Sequence, residues 1–269
     1  MFGAYLENQC GDKVLMKVTI YENKNTDYLV YTRESYCAIV EEVLRHLPPN
    51  TKYKVLELGC GSGAFSRYFL QDINCELVGV DISENLISKA NSILAEAVTD
   101  NRARFVCQNV SPENLGLLDL SNYDVIFSGA FLHHLPVVAR KLLLSYIAVH
   151  AKSDAVFAAF EPNIFNPAIR IQYMYETRLN EDKYDRSEFP LCPNDSTPWP
   201  SISVSFLDVG YRVIPITESK IRYGLIGKVL YKLGSRLFGF IYSRVKRLRV
   251  AEKYIKDYFL IVSRNVAGI

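Results

Sequence analysis

Three glycines at alternate positions, Gly59, Gly61 and Gly63, constrain the fold of this chain more than any other feature. They follow the apolar run Val55–Leu58 and precede a segment with helical spacing of its apolar residues. Glycine at such positions permits unusual backbone dihedral angles and lets a ligand approach the main chain closely. The pattern predicts a buried strand that turns directly into a helix, either as an ordinary tight turn or as a ligand-binding loop.

Glu57 distinguishes this turn from the fingerprint of dinucleotide-binding proteins. That fingerprint has the form G-x-G-x-x-G, whereas the present sequence has the form E-x-G-x-G-x-G. An acid just before the first glycine attracts an ammonium group and repels a pyrophosphate. We therefore expect the cationic part of a ligand near Glu57.

A second acid, Asp81, directly follows the apolar run Val78–Val80. In open α/β sheets, an acid at the end of the strand after the glycine turn accepts hydrogen bonds from ribose hydroxyls. Asp81 is therefore a candidate ribose ligand, and Ile82 is expected to lie against the adenine. The alternative interpretation is that Asp81 only opens a turn before the next helix.

Polar side chains follow two further predicted strands. Asn109 comes after the run Phe105–Cys107, and its carboxamide oxygen is suited to accept from an exocyclic amine. The strand Tyr123–Ser128 opens into small residues and then His133 and His134. Both groups fall where strands of this type end, which is where the ligands of such sheets bind.

Short apolar runs alternate with helical patterns over the first 160 residues. Strands separated by helices of this length form right-handed βαβ units, in which helices cover both faces of a parallel sheet. The order changes after residue 160, where two late strands predict an antiparallel edge. The predicted fold is a doubly wound α/β domain. The predicted strands are Lys54–Leu58, Glu76–Val80, Arg104–Cys107, Tyr123–Ser128, Ala155–Phe160, Tyr211–Thr217 and Asp257–Arg264, and the predicted helices are Arg33–Leu47, Ala64–Gln71, Glu84–Val98, Pro112–Leu118, Pro136–His150 and Ser203–Asp208.

The predicted organisation is an N-terminal helical cap over residues 1–50, followed by the α/β domain over residues 51–269. Two insertions interrupt that domain. Residues 162–200 are proline-rich and lack periodicity, which is typical of an active-site cap or a disordered insert. Trp199 lies in this insertion and is expected either to line a pocket or to pack within the insert.

The second insertion, residues 221–256, is strongly basic. It contains ten basic residues and one acid, a net charge of +9, whereas the rest of the chain carries −7. Apolar residues recur at helical spacing between Leu225 and Leu248, with lysines and arginines between them. Such a pattern predicts either a packed helical cap with solvated charges or a peripheral contact with an anionic membrane. Nucleic-acid binding is the least favoured interpretation, because no recognisable binding motif is present.

The composition excludes several other classes of protein. Apolar residues make up 49% and charged residues 22% of the chain, which excludes a disordered, collagen-like or coiled-coil protein. Its six cysteines are scattered without a CxxC pair, which predicts reduced thiols and no metal site. Residues 1–11 lack the pattern of a signal peptide, and no apolar run is long enough to predict a spanning helix. The expected location is cytoplasmic, with the peripheral membrane contact as an extension.

Together, the four ordered motifs resemble those of the class I S-adenosylmethionine-dependent methyltransferases, most closely the small-molecule branch of ubiquinone and menaquinone biosynthesis. The resemblance extends over about Lys52–Asn163 and, more weakly, over the terminal strands. It implies a Rossmann-like, seven-stranded sheet with an antiparallel last strand, and S-adenosyl-L-methionine as the cofactor. It also implies methyl transfer, most often to oxygen or carbon, on a small-molecule or lipid-linked acceptor.

The resemblance further implies roles for individual residues. Glu57 would face the methionine end of the cofactor, Asp81 the ribose, and Ile82 and Val110 the two faces of the adenine. Two departures stand out: Asn109 replaces the aspartate of most relatives, and residues 151–154 replace a Lys-Pro-Gly-Gly turn. The full cofactor-binding set is Arg33, Glu57, Gly59, Cys60, Gly61, Asp81, Ile82, Asn109, Val110, Ser128 and Gly129.

Methyl transfer needs alignment of the reactants and exclusion of water, with a base only for some acceptors. His133, His134 and Glu161 are the candidate catalytic residues. The alternative is that the histidines cap the following helix and that Glu161 makes a structural hydrogen bond. Arg33 similarly is either a ligand of the methionine carboxylate or an exposed residue at a helix start.

Two other functions compete with methyl transfer. Aminopropyl transfer is expected to need an acidic pair after the fourth strand, where this chain has Ser128, Gly129 and Ala130. A non-catalytic, cofactor-binding partner subunit of the same fold is the remaining alternative. The glycine turn and Asp81 argue against a subunit that has lost its ligand.

Overall fold

The computed structural model describes residues 33–47, 52–72, 74–167, 169–170, 191–207, 253–254, 256 and 258–265. Four of the sequence-based predictions concern regions outside these residues. They are residues 1–32 and 48–50 of the N-terminal cap, the strand Tyr211–Thr217, residues 171–190 of the proline-rich insertion, and the basic insertion apart from Lys253, Tyr254 and Lys256.

Strands and helices alternate along the first part of the described chain, as the periodicity predicts. The strands are β1 (Tyr53–Leu58), β2 (Cys75–Asp81), β3 (Ala103–Cys107), β4 (Val125–Gly129), β5 (Val156–Pro162), β6 (Ser201–Leu207) and β7 (Tyr258–Arg264). The α-helices are α1 (Arg33–Leu44), α2 (Ala64–Asp72), α3 (Glu84–Ile93), α4 (Ala95–Thr99), α5 (Pro112–Leu115) and α6 (Val137–His150). Short 3₁₀ turns cover Gly116–Leu118, Leu120–Asn122, Leu132–His134 and Pro193–Asp195.

The seven described strands form one sheet in the order β3-β2-β1-β4-β5-β7-β6. The first five run parallel to one another, whereas β7 is antiparallel to both β5 and β6. The predicted doubly wound, Rossmann-like sheet with an antiparallel last strand is confirmed.

Both faces of the sheet are buried, which explains why the strands are nearly continuous apolar runs. On one face, Val55 and Phe127 pack with α1, α2 and α3. On the other face, Leu56 and Ile126 pack with α5 and α6. Residues of opposite parity in each strand therefore belong to separate halves of the core.

The predicted helix Ser203–Asp208 is wrong, because Ser203–Leu207 belong to strand β6; Asp208 lies outside the described residues. Ile202, Val204 and Phe206 alternate with serines, which is the period of a strand. The strand pairs with β7, and Phe206 packs against the core, whereas Ile202 and Val204 are exposed. The predicted helix Glu84–Val98 is divided at Leu94, whose side chain lies against the glycine turn near Gly63.

The carboxyl-terminal ends of the parallel strands β1, β2, β4 and β5 lie along the same edge of the sheet, the one formed by strand ends. The connection between β6 and β7 begins and ends at the same edge, because Leu207 pairs with Tyr258 and Tyr258 pairs with Pro162 of β5. Ligands of open α/β sheets bind outside the carboxyl ends of their strands. This edge therefore contains the candidate site.

Candidate functional site

The glycine turn adopts the backbone conformation that its composition predicts. Gly59, Gly61 and Gly63 all have positive φ angles, of 68°, 53° and 83°. Residues other than glycine rarely adopt positive φ angles. A Cβ atom added to Gly61 would meet no atom within 4 Å, so the turn leaves open space at its centre.

Glu57 is buried beneath this turn, with 1% of its surface exposed. Its Oε2 accepts a hydrogen bond from the hydroxyl of Ser66 on α2. Burial, with a smaller contribution from the negative charge of Asp81, raises the pKa of Glu57 to about 8, although the Ser66 hydrogen bond opposes the shift. A nearby cation would reverse this effect, because it favours the ionised carboxylate.

Asp81 joins the end of β2 to the glycine turn. Its Oδ2 accepts from the amide of Gly61 at 2.9 Å, and its Oδ1 accepts from the amide of Ser83 at 2.9 Å. Burial raises the pKa of Asp81 despite these hydrogen bonds. Each carboxylate oxygen can accept more than one hydrogen bond, so both retain capacity for ribose hydroxyls.

The predicted adenine-binding residues lie next to Asp81 along the same edge. Ile82 is half-buried, Val110 is buried, and Asn109 is exposed. The main chain of Asn109 is fixed by Asn114, whose side-chain amide donates to the Asn109 carbonyl oxygen at 2.9 Å. These positions agree with an adenine between two apolar side chains and a polar group at its rim, and the roles themselves remain predictions.

Ser128 and Gly129 end β4 directly beside Leu58 of β1. The Ser128 side chain is fully buried, and its hydroxyl has no hydrogen-bond partner among the described residues. A Cβ atom on Gly129 would lie 2.6 Å from the ring of Phe65, so this position requires glycine. The strand end is therefore packed tightly against α2.

Glu161 and His133 form a buried pair where β4 and β5 end. His133 Nδ1 lies 2.7 Å from Glu161 Oε2, and the Glu161 side chain is fully buried. Glu161 Oε1 accepts from the amides of Phe131 at 3.0 Å and Leu132 at 2.7 Å. The carboxylate thus caps the turn that carries the histidine. Of the two roles that the sequence left open for Glu161, the structure shows the structural hydrogen bonds, and the catalytic role stays a prediction.

His134 is half-buried and lies against His133, with ring centroids 4.0 Å apart. Arg140 of α6 supports the same turn, because its guanidinium lies 3.5 Å from the carbonyl oxygen of Leu132. Burial lowers the pKa of Arg140, and the negative charges of Glu161 and Asp195 oppose this effect. The turn therefore contains two adjacent imidazoles and a buried guanidinium.

Three important residues of this site were missed by the sequence analysis. Ser66 is the partner of Glu57, Arg140 lies behind the histidine turn, and Phe131 packs on Gly59. Ser66 lies in the first turn of α2, at a position that faces the preceding strand. Its spacing from Glu57 could therefore have indicated their contact. Phe131 had no such signal, because its contact depends on the conformation of the loop.

The cofactor-binding roles of Arg33 and Cys60 stay predictions. Arg33 is exposed at the first residue of α1, and none of the contacts among the described residues joins it to the glycine turn. Cys60 is buried within the turn, and burial raises the pKa of its thiol well above the ordinary value. A thiol that resists ionisation is a poor nucleophile, so a packing role suits Cys60.

The described residues contain no cluster of three or more His, Cys, Asp or Glu side chains that could bind a metal. The five cysteines within the described ranges are free thiols. None of the helices described here is long and apolar enough to cross a bilayer.

The geometry of this edge fits S-adenosylmethionine. Gly61 leaves the open space that a close ligand requires, and Asp81 presents a carboxylate with remaining hydrogen-bonding capacity. Residues 55–154 match the family model of a methyltransferase domain. The fold is that of the class I S-adenosylmethionine-dependent methyltransferases.

Individual relatives agree with this assignment over part of their length. Phosphoethanolamine N-methyltransferase 1 of Arabidopsis thaliana is 36% identical over 94 residues, which cover 35% of this chain and 18% of the plant protein. Carboxy-S-adenosyl-L-methionine synthase of a Shewanella species is 26% identical over 106 residues, covering 38% and 41%. The chain spans less than two thirds of the length of the curated relatives that it matches.

A solved structure extends the likeness to nearly the whole chain. Phosphoethanolamine N-methyltransferase 2 of Haemonchus contortus, in complex with S-adenosyl-L-methionine, matches 94% of this chain and 56% of its own. The TM-score is 0.56 and the sequence identity 16%, so the likeness is one of fold. The family match and this cofactor-bound neighbour support S-adenosylmethionine as the cofactor.

Proposed function

We propose that this protein transfers the methyl group of S-adenosylmethionine to a small-molecule or lipid-linked acceptor, by O- or C-methylation. The observation that carries the proposal is the meeting of two groups at one sheet edge. The glycine turn with Asp81 forms one group, and the Glu161–His133 pair forms the other. The acceptor is proposed to be of the kind that ubiquinone and menaquinone methyltransferases use.

The cofactor supplies a sulfonium methyl group that is already activated for transfer. The protein therefore has to hold the acceptor in line and keep water out. Asp81 and the open glycine turn are suited to hold the nucleoside and methionine portions. Glu57, whose pKa burial raises, is expected to ionise when a positively charged amino group arrives.

His133 is proposed as the base for an acceptor hydroxyl or an acidic carbon. In this proposal Glu161 Oε2, which lies 2.7 Å from Nδ1 of His133, accepts the Nδ1 hydrogen, and Nε2 takes the proton from the acceptor. The carboxylate also stabilises the imidazolium that forms once Nε2 has taken the proton. His134, which packs against His133, is the second candidate, and it is expected to contact the acceptor.

Incubation of the full chain with methyl-labelled S-adenosylmethionine and quinone-precursor or polyprenyl-linked acceptors tests this function. We expect label in the acceptor, formation of S-adenosylhomocysteine, and a rate that falls at least tenfold in His133→Asn. Binding of the cofactor without any turnover across phenolic, enolic, carboxylate and amine acceptors would instead favour the non-catalytic partner subunit. Absence of cofactor binding by folded protein would contradict both functions.

We also propose that the basic insertion, residues 221–256, contacts an anionic membrane. Support comes from its net charge of +9 and its amphipathic spacing. Asn163, at the end of β5, donates to the carbonyl oxygens of Lys253 at 2.8 Å and Lys256 at 2.9 Å. The end of the insertion is thereby tied to the edge that holds Glu161, where a membrane-borne acceptor would arrive. The protein is accordingly proposed to be cytoplasmic and peripheral.

Liposome flotation tests the membrane contact. We expect salt-sensitive binding to vesicles that contain phosphatidylglycerol, and loss of binding when Lys228, Lys232 and Arg236 are changed to Gln. The matched control changes three lysines of the α/β domain, Lys52, Lys54 and Lys89, to Gln. Equal behaviour of all three proteins would leave a packed cap with solvated charges as the better description.

A further inference from the structure

Phe131 lies between the cofactor-binding and acceptor-binding halves of the site. It follows Gly129 and Ala130 at the end of β4 and precedes the turn that carries His133. The ring is half-buried and packs on the face of the core formed with α5 and α6. No role for this residue follows from the glycine, acid or histidine motifs of the sequence.

The ring of Phe131 occupies the space that a side chain of Gly59 would need. A Cβ atom built on Gly59 would lie 2.7 Å from Cβ of Phe131 and closer still to its ring. Real Cβ atoms do not approach so closely, so the ring must rest directly on the Gly59 backbone. The absence of a side chain at Gly59 therefore serves contact with Phe131 as well as the positive φ angle of 68°.

The remaining sides of the glycine turn are held by β2. Cys60 donates its amide hydrogen to the carbonyl oxygen of Val80 at 3.0 Å, and Gly61 donates to Asp81 at 2.9 Å. These hydrogen bonds fix the turn on the β2 side. On the β4 side, the ring of Phe131 packs against the backbone of Gly59, which has no side chain.

Phe131 is itself fixed by two groups. Glu161 Oε1 accepts its amide hydrogen at 3.0 Å. Ala130 has a φ angle of 53°, which is uncommon for alanine, and its amide donates to the carbonyl oxygen of Phe160 at 2.6 Å. A strained residue that the surroundings hold in place is a feature of functional loops. The strand end and Glu161 together direct the ring onto the turn.

We propose that Phe131 is a positioning residue for the cofactor: it holds the glycine turn in its binding conformation, and Glu161 acts on cofactor affinity through it. A turn that is fixed before binding loses less conformational entropy when the ligand arrives. Without the ring, the backbone of Gly59 is expected to sample more conformations before binding. The entropy lost when the ligand orders this backbone then lowers the affinity. This inference rests on the proposed cofactor binding, and it adds a connection between the acceptor half and the cofactor half.

Calorimetric titration of S-adenosylhomocysteine into purified Phe131→Ala tests the proposal. We expect affinity about tenfold weaker than that of the wild type, and recovery to within about twofold in Phe131→Tyr, which restores the ring. The matched control is Phe206→Ala. Phe206 is also half-buried in the same core cluster but lies on β6, four strands away from β1. Thermal unfolding establishes that each variant is folded at the temperature of the titration.

Glu161→Ala tests the second part of the proposal, because it removes the acceptor of the Phe131 amide hydrogen. We expect weaker cofactor binding in this variant, and in combination with Phe131→Ala the two losses should not add, because both act through one contact.

The outcomes separate this inference from the proposed function. If the wild type does not bind S-adenosylhomocysteine, the proposed function fails. If the wild type binds and Phe131→Ala binds equally well or more tightly, the cofactor site stands and the positioning role is overturned. Fully additive losses in the Glu161→Ala, Phe131→Ala double variant would overturn the action of Glu161 through Phe131.

Discussion

The two halves of the site differ in how far the charges of their carboxylates are compensated. In the cofactor half, burial raises the pKa of both Glu57 and Asp81, and the negative charge of Asp81 adds to the shift at Glu57. In the acceptor half, Glu161 is as buried as Glu57 and, like Asp81, accepts hydrogen bonds from two backbone amides; its Oε2 also lies 2.7 Å from Nδ1 of His133. The cofactor half therefore gains stability when a cation and hydroxyl groups bind. The acceptor half is already internally paired, which is the property expected of a rigid support.

This contrast indicates which residues bind and which position. Carboxylates that remain incompletely compensated are suited to a ligand. We therefore propose that Glu57 and Asp81 bind the cofactor, and that Glu161, which contacts His133 and the amide of Phe131, positions these two residues.

The largest effect on the cofactor half is expected from Gly61→Val. This position has a φ angle of 53° and open space around it, so a β-branched residue would be strained and would also fill the ligand's volume. Cofactor binding should become undetectable by calorimetry. Ser62→Val is the neighbouring control and should keep measurable binding, whereas tight binding by folded Gly61→Val would show that the turn does not contact the ligand.

The second effect concerns the stability of the ligand-free protein as a function of pH. Burial raises the folded-state pKa of Glu57 to about 8, above the ordinary value of 4.5 for a glutamate. Between these values the folded state binds the proton and the unfolded state does not, so stability falls as pH rises from about 4.5 to 8. The contribution is on the order of 3 to 5 kcal/mol.

Glu57→Gln removes this titration. Urea unfolding at pH 5 and pH 8 should show a smaller loss of stability for Glu57→Gln than for the wild type. The exposed Glu41→Gln serves as the control and should follow the wild type. An unchanged pH dependence in Glu57→Gln would mean that Glu57 is ionised at neutral pH even without the cofactor.

Asp81→Ala is expected to have a smaller effect, limited to cofactor affinity. Loss of hydrogen bonds to a charged acceptor should weaken binding by about 1.5 to 3 kcal/mol. Calorimetry with S-adenosylmethionine measures this loss. Asp124→Ala is the control, because Asp124 interacts with Lys152 and the Lys54 amide away from the glycine turn.

The fold and much of the cofactor half could be predicted from the sequence, because both follow from local patterns. Apolar runs and glycine spacing place Glu57, Gly61 and Asp81 at the ends of adjacent strands, and the parallel topology then brings them together. Strand β6 was missed because Pro200 and the serines obscured a period-two pattern that Ile202, Val204 and Phe206 nevertheless display.

The acceptor half was predictable only as a set of candidate residues. The Glu161–His133 pair joins positions 28 residues apart, and the capping of Phe131 joins positions 30 apart. Its geometry depends on the left-handed backbone of Ala130, for which the residue type gives no indication. The contact of Phe131 with Gly59 depends on the same turn, and local periodicity carries no information about it.

The division between the two halves is tested most directly by measuring cofactor affinity and turnover side by side in Asp81→Ala and His133→Asn. Asparagine retains a donor for Glu161, so the turn around Phe131 is expected to stay in place. We expect Asp81→Ala to lose affinity. We expect His133→Asn to bind S-adenosylmethionine within about twofold of the wild type and to turn over at least tenfold more slowly. Unchanged affinity in folded Asp81→Ala, or full turnover in His133→Asn, would contradict this division of roles.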